Sequence, residues 1–297
     1  MPRFVLTGAN GRIGQNLVAR AAGARALVRS QRAADSLAGL GADVRVLDVR
    51  DVDALARAAE GCEAWIHLVG ILKETRSAKY VDAHERSCEA VARAAERAGV
   101  RRIVCLSILG ARPDSANACL ASKGRADALL LGGRAPATVL RVPMVLGPGE
   151  IAAFALRAQA RARVAFMVRG GATREQPIDT RDIVSALLLG AADSSDGHVA
   201  LDLAGPESLT HRELVVRIAR VLGKPAPAVV PIPAALAFGA AALLERLAEP
   251  PVTRAMLGVL EHDDQIDPRP AAQRLGLTLT PLADTLSHTF APENRAA

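Results

Sequence analysis

Aromatic side chains are scarce, with one Trp, one Tyr and five Phe in 297 residues. A chain this poor in rings offers little on which to stack nucleobases, so its net charge of +6 does not make it a nucleic-acid binder. Lysine is also rare, confined to Lys73, Lys79, Lys123 and Lys224. The positive charge is almost all Arg, spread along an Ala-rich chain, which reads as a compositional habit rather than a basic face. The cysteines, Cys62, Cys88, Cys105 and Cys119, form no C-x-x-C pair, which excludes metal-ribbon and dithiol redox motifs on spacing. Reduced, mostly buried thiols are expected.

Long apolar runs are missing too, although half the residues are apolar. None reaches the roughly 18 to 20 residues of a membrane span, and the longest candidate, 232–244, has the length of a buried or interfacial helix. No charged leader or cleavage site precedes the first apolar strand, so the expected compartment is the cytoplasm. There is no G-x-S-x-G elbow and no Walker loop.

What is present stands near the amino terminus. Arg3-Phe4-Val5-Leu6 runs into Thr7-Gly8-Ala9-Asn10-Gly11-Arg12-Ile13-Gly14, an apolar strand opening into a glycine-punctuated turn and then a helix. Such a turn lets peptide amides approach a pyrophosphate with no Cβ in the way, and it aims a helix's positive end at the anion. The spacing is one residue longer in its first gap than G-x-G-x-x-G, but its strand-to-helix context is the one that motif needs. The chain is therefore expected to bind a dinucleotide.

Strands expected at 4–6, 25–28, 44–47, 64–68, 102–106 and 138–141 alternate with helical patterns at 13–22, 33–40, 52–59, 82–98 and 123–131. Val-, Ile- and Leu-rich strands without polar alternation suit a parallel sheet covered on both faces. Repeated β-α-β units imply a doubly wound α/β Rossmann sheet with a smaller, discontinuous carboxy-terminal α/β lobe. The expected division places the cofactor domain at 1–147, rejoined by 176–204, and the smaller lobe at 148–175 and 205–297. Further on, helices are expected at 151–161, 181–192, 234–248 and 252–260, and Thr210 with Glu213 predicts a capping box for a helix to 222. The apolar 234–248 helix reads as packed in the smaller lobe, with a greasy lid or a membrane-complex docking face as the sharper alternative.

Cofactor type follows from the end of the second strand. NAD binders of this fold place an acid there for the ribose 2′-hydroxyl, but Arg25-Ala26-Leu27-Val28 continues into Arg29-Ser30-Gln31-Arg32 with no acid before Asp35. A guanidinium grips a 2′-phosphate, so NADP(H) is favoured over NAD(H). The competing reading makes Arg29 a solvated charge in an Arg-rich chain. Asp48, ending the third strand, is placed to meet the adenine edge, and Val69-Gly70 ends the fourth.

These residues together resemble the atypical and extended short-chain dehydrogenase/reductase superfamily and, within it, the NDUFA9-like group, NAD(P)-binding relatives of a complex I accessory subunit. The resemblance spans nearly the whole chain. It rests on the first glycine motif, on Ile66-His67-Leu68-Val69-Gly70-Ile71 and on Leu106-Ser107-Ile108-Leu109-Gly110-Ala111. Gly147-Pro148-Gly149, Gln176-Pro177-Ile178-Asp179 and Ala204-Gly205-Pro206-Glu207 continue it in order. It implies that Gly8, Asn10, Gly11, Arg12, Ile13 and Gly14 surround the pyrophosphate, with Arg29 at the 2′-phosphate. Asp48 and Val49 would lie at adenine, and Val69 and Gly70 beside the ribose. Ser107 and Lys123 would stand near the nicotinamide as catalytic candidates, Lys123 also binding ribose. Val142, Pro143 and Val145 would line the nicotinamide pocket, with Pro143 departing from the family's small polar residue.

One departure bears on activity. The superfamily's reductases carry Tyr-x-x-x-Lys on one helix, whereas this chain reads Cys119-Leu120-Ala121-Ser122-Lys123. The only Tyr, Tyr80, falls in a different helical region, so no phenol is expected there, and a buried Cys119 is expected to be inert packing. Ser107 is equally readable as a carbonyl hydrogen-bond donor or a turn cap. His67 and His84 read as core histidines, and His198, His211, His262 and His288 have no metal spacing. Two accounts follow: an oxidoreductase on an apolar carbonyl or quinone-type substrate, or a silent dinucleotide-binding accessory subunit associated peripherally with a membrane complex.

Overall fold

A computed structural model describes residues 3–21, 23–247 and 249–291. In chain order the first unit runs β1 (Phe4–Thr7), α1 (Arg12–Arg20), β2 (Arg25–Val28), α2 (Gln31–Asp35), β3 (Asp43–Val46), α3 (Val52–Ala59) and β4 (Ala64–His67). A π-helical turn, Val81–Arg86, leads into α4 (Ser87–Ala98), then come β5 (Arg102–Ile108), α5 (Ala118–Leu131) and β6 (Ala137–Val142). The chain then forms β7 (Val145–Leu146), α6 (Ile151–Arg161), β8 (Val164–Val168), β9 (Arg174–Glu175) and β10 (Ile178–Asp179). It continues through α7 (Thr180–Ala192) to β11 (Val199–Asp202), β12 (Leu209–Thr210), α8 (His211–Val221) and β13 (Ala228–Ile232). Four helices follow: α9 (Ala234–Leu244), α10 (Arg254–Leu260), α11 (Arg269–Leu275) and α12 (Leu282–Phe290).

Two compact units emerge, Met1–Arg141 with Val184–Asp202, and Val142–Ile183 with Leu203–Ala297. The boundaries expected at 147 and 176 fall instead at 141 and 183. The first unit is the doubly wound parallel sheet expected, seven strands in the order β11-β6-β5-β4-β1-β2-β3. Strand order reverses at β1, which pairs with β2 on one side and β4 on the other. In open α/β sheets ligands bind beyond the carboxyl ends of strands at such a switch point. Val5, Leu27, Trp65, Ile103 and Val139 from five strands share one core with Leu55, Val91 and Leu130 from the helices.

Local chemistry explains the element ends. Asp51 caps α3 by accepting from the amides of Asp53 and Ala54, and Asn117 caps α5 through those of Cys119 and Leu120. The α5 start therefore falls at Ala118, before the expected 123. The second helical pattern shrinks to Gln31–Asp35, because Gly39 and Gly41 take left-handed φ angles of +80° and +74° within or just past the expected 33–40 span. The first helix ends at Arg20, and residue 22 lies outside the described residues.

The second unit has three two-stranded pairings, β10–β7, β12–β9 and β13–β8. Its core gathers Leu156 of α6, Leu214 and Ile218 of α8, and Leu286 and Phe290 of α12. The capping box of Thr210 and Glu213 forms as expected. The apolar helix expected to pack in this lobe does so through little of its surface. Only Ala241 of it is buried, while Leu236 and Leu243 stand 66% and 62% exposed. The helix ends at Leu244, and residue 248 lies outside the described residues.

Candidate functional site

The glycine turn is built by contact. β1 ends at Thr7 and the chain turns through Gly8 at φ +83°, where a Cβ would sit 2.8 Å from the Leu68 carbonyl carbon. Only glycine takes that conformation and lets the end of β4 approach so closely. In the first turn of α1, a Cβ on Gly14 would lie 2.6 Å from the carbonyl oxygens of both Gly8 and Ala9. Gly11, the residue before α1, has no side chain to cap the helix, and no acid stands in the first turn. The amides opening α1 are thus left without intrahelical acceptors, next to the positive end of the helix dipole.

A buried chain of hydrogen bonds roots this turn in the sheet. The Trp65 indole donates to Thr7 Oγ1 at 3.1 Å, and Thr7 lies 2.7 Å from His67 Nδ1. His67 Nε2 meets Ser87 Oγ at 3.3 Å, and Ser87 in turn donates to the Ala83 carbonyl at 2.8 Å. The chain is consistent when His67 is neutral with its proton on Nε2. Burial, with the nearby charge of Lys123 and the His84 ring, pushes His67 down to about 3. His67 is the satisfied core histidine that the sequence suggests.

Around the switch point lies a cavity of about 460 Å³ lined by the ends of four strands. Gly8, Asn10 and Gly11 line it after β1, Val28 at the end of β2 with Arg29 after it, Asp48, Val49 and Arg50 after β3, and Val69 and Gly70 after β4. The π-helical turn adds Asp82 and Ala83, and the loop before it adds Lys79. Arg12, Ile13 and Gly14 form the opening of α1 beside the turn. Arg50, absent from the sequence reading, pairs with Asp48 at 3.0 Å. Its hydrogen bond holds the Asp48 carboxyl below the usual carboxylate value against a small burial penalty. Arg29 has no hydrogen-bond partner among the described residues and adds its charge to the same wall. The signal for Arg50 was its place two residues past Asp48, masked by the abundance of Arg elsewhere.

The loop after β4 is pinned by side chains from two helices. Lys123, 4% exposed, donates to the carbonyls of Leu106 at 3.1 Å and Val69 at 3.4 Å. A Cβ on Gly70 would come within 3.2 Å of its ammonium. His84 Nε2 accepts from the Ile71 amide at 3.1 Å, and burial pushes this ring down to about 3 as well. The Cys119 thiol reaches the Ile71 carbonyl at 3.6 Å, and the Tyr80 phenol donates to the Leu72 carbonyl at 2.8 Å.

The single phenol of the chain therefore does lie beside Cys119, holding the next carbonyl along. That corrects the expectation drawn from its separate helical region. The π-helical turn that follows Tyr80, a form enriched at functional sites, carries His84. Burial pushes the Cys119 thiol up to about 11, so it stays protonated at neutral pH. Ser107, on β5, is buried with its hydroxyl directed at the Asp127 carboxyl, whose pKa burial raises and this contact helps to lower. Val142 ends β6, Pro143 follows, and Val145 of β7 pairs with Ile178; all three belong to the second unit.

Glycines whose Cβ atoms would fill the turn, an uncapped helix start without acids, and two guanidiniums on one cavity wall fit an anionic dinucleotide. The amides at 12–14 would face its pyrophosphate, Arg29 and Arg50 its ribose-phosphate end, and Lys123 the ribose beyond Gly70. Fold and turn define a Rossmann-type dinucleotide binder. A family model described as NAD(P)H-binding matches residues 8–175, and the chain belongs to that family. Within it the chain is similar to the complex I accessory subunit and its relatives.

Two relatives illustrate the range. Ceramide reductase of Caulobacter vibrioides is 29% identical over 240 residues, 79% of this chain and 75% of that protein. NADH dehydrogenase [ubiquinone] 1 alpha subcomplex subunit 9, mitochondrial, of Arabidopsis thaliana is 29% identical over 223 residues, covering 70% of this chain and 54% of that protein. The fold is also that of a dTDP-glucose 4,6-dehydratase from Streptomyces venezuelae, solved with NAD bound, at a TM-score of 0.74. That match is 19% identical over 99% of this chain and 98% of the other. Among the described residues no group of side chains is arranged to hold a metal, and no helix is long and apolar enough to cross a membrane.

Proposed function

We propose that the chain binds NADP(H) in preference to NAD(H) and reduces an apolar carbonyl or quinone-type acceptor. The observation that carries the reading is the cavity at the switch point, where the open start of α1 and the Arg29 and Arg50 wall meet. An anionic 2′-phosphate suits two guanidiniums, and Asp48 is already engaged by Arg50. A relative named as a reductase of ceramide, a lipid, supports an apolar substrate.

A bound reduced nicotinamide supplies a hydride. The accompanying proton is the difficulty, because the position of the usual phenol holds a buried neutral thiol. An acceptor protonated directly from water tolerates that loss, which favours a quinone-type acceptor over a ketone needing an internal acid. Lys123 fixes the backbone after β4 where the cofactor would pass.

The buried Cys119 also favours a second reading, a silent NADP(H)-binding accessory or assembly subunit whose dinucleotide stabilises the fold. The relative named as a subunit of NADH dehydrogenase supports it. NADPH consumption followed against a panel of quinones and long-chain carbonyls separates the two. Turnover with any acceptor establishes the oxidoreductase; tight NADPH binding with no turnover across the panel leaves the silent subunit.

A further inference from the structure

We propose that the second unit docks on the surface of an anionic lipid bilayer, through α9 and the outer face of the β8–β13 ribbon. The first observation is α9 itself. Its 11 residues are Ala, Leu, Phe and Gly alone, with no polar side chain on any face. A helix apolar all round belongs in apolar surroundings, yet this one packs against α10 with a single residue buried. At 1.5 Å per residue it is about 16 Å long, half of what a bilayer crossing takes, so it suits a shallow seat among headgroups.

The neighbouring surface is apolar too. β8 and β13 pair in parallel, with Val164 opposite Ala228 and Phe166 opposite Val230. Aligned residues of such a pair point to the same side. Val164, Phe166 and Val230, 44%, 63% and 40% exposed, therefore make one outward apolar face, while Ala165 and Met167 point inward and are buried. The two patches are joined through α10, because Leu260 borders the same cavity as Phe166 and α10 packs against α9. Only Pro233 separates the end of β13 from the start of α9.

Charge identifies the partner. The chain has 31 acidic residues, yet 151–170, carrying α6 and β8, and 224–244, carrying β13 and α9, contain none. Their charged residues are Arg157, Arg161, Arg163, Arg169 and Lys224. Arg157 is engaged by the Thr289 carbonyl at 2.9 Å. The other four side chains are exposed and have no ion-pair or hydrogen-bond partner among the described residues. Elsewhere, exposed arginines such as Arg86, Arg97 and Arg125 stand beside acids. Past α9, Glu245 is paired with Arg254, and Glu249 is offset by Arg246. Arg161 and Arg163 precede β8 and Arg169 follows it, so cations flank the apolar strand at both ends. Apolar side chains framed by unpaired cations match an interface where acyl chains lie beneath phosphate headgroups. A second copy meeting this face across a two-fold axis would set one acid-free cationic rim against another.

The proposal does not rest on dinucleotide binding and is tested without nucleotide. Full-length protein is sedimented with vesicles of phosphatidylcholine alone, or with about a third phosphatidylglycerol. It is expected to bind the anionic vesicles about tenfold or more tightly than the neutral ones, and added salt should erase most of that preference. Leu236→Ser with Leu243→Ser, at exposed positions, should weaken binding to anionic vesicles about tenfold or more. Arg161→Gln, Arg163→Gln and Arg169→Gln should each reduce the anionic preference about fivefold. Should the double Leu variant misfold, Leu236→Trp gives an independent readout. Its indole emission should shift to the blue on anionic vesicles and be quenched by brominated acyl chains, while buried Trp65 is unaffected. No sedimentation with anionic vesicles, or undiminished sedimentation of the folded Leu variant, overturns the proposal. So does a dimer, seen by light scattering, that the Leu variant dissociates while the wild type binds no vesicles.

Discussion

His67 in the first unit and His211 in the second are both withdrawn from solvent, yet one is pushed below its ordinary pKa and the other raised above it. His67 sits among hydroxyls, with the Lys123 ammonium as a nearby like charge, and nothing compensates an imidazolium there. His211 lies between a carboxylate and an amide oxygen, which outweigh its burial. Desolvation acts on both; the partner decides. The first arrangement stiffens the root of a ligand-binding turn, whereas the second orients a carboxylate. The same residue type thus marks scaffold in one unit and a polar anchor in the other.

The largest effect that could break this comparison is on acid stability. His67 and His84 ionise at about 3 in the folded chain against 6.5 in the unfolded one. Their neutral forms therefore stabilise the fold above pH 6.5. That contribution should fall as pH drops toward 3, by up to about 1.4 kcal/mol per pH unit for each ring. Urea unfolding from neutral pH downward should show the slope, and His67→Gln should reduce it by one proton's worth. An unchanged slope would mean that His67 is charged in the folded chain.

Next comes Gly14→Val, whose side chain collides with the Gly8 and Ala9 carbonyls; it should weaken NADPH binding by about a hundredfold or more, measured by calorimetry. The His211 network lies in the other unit and should keep its own pH dependence. Arg29→Glu should weaken NADPH about tenfold or more while changing NADH far less. Equal losses for the two cofactors would remove Arg29 from the 2′-phosphate.

On the alkaline side the direction reverses. His211 is raised in the folded chain, so its contribution is complete below its ordinary value of 6.5 and disappears as pH rises through the higher folded value. His211→Gln should abolish that alkaline loss, seen as a flatter stability profile above neutrality. Smallest of all, Cys119→Ser should leave turnover or NADPH affinity within about twofold, since the thiol is buried and protonated. A collapse in rate would make Cys119 part of the chemistry.

Much of the first unit was legible because its signals are local. The strand, the Gly8 turn and α1 are consecutive, and the cavity follows from where strands of a parallel sheet end. Arg29 and Asp48 were readable as residues just past β2 and β3. Features made by distant residues were not. Gln159, Glu175 and His211 are brought together from α6, β9 and α8, and no spacing in the sequence announces them. Tyr80 reaches the carbonyl beside Cys119's through a loop and a π-helical turn, which no period of 3.6 reveals. The strand β8 and the helices α11 and α12 went unread as well. They are short, and their packing depends on partners far along the chain.

The most direct test is calorimetric titration of the folded full-length chain with NADPH and, separately, NADH. The account predicts saturable one-to-one binding of NADPH, tighter than that of NADH, and its loss in Gly14→Val. Folded protein that takes up neither cofactor would contradict it.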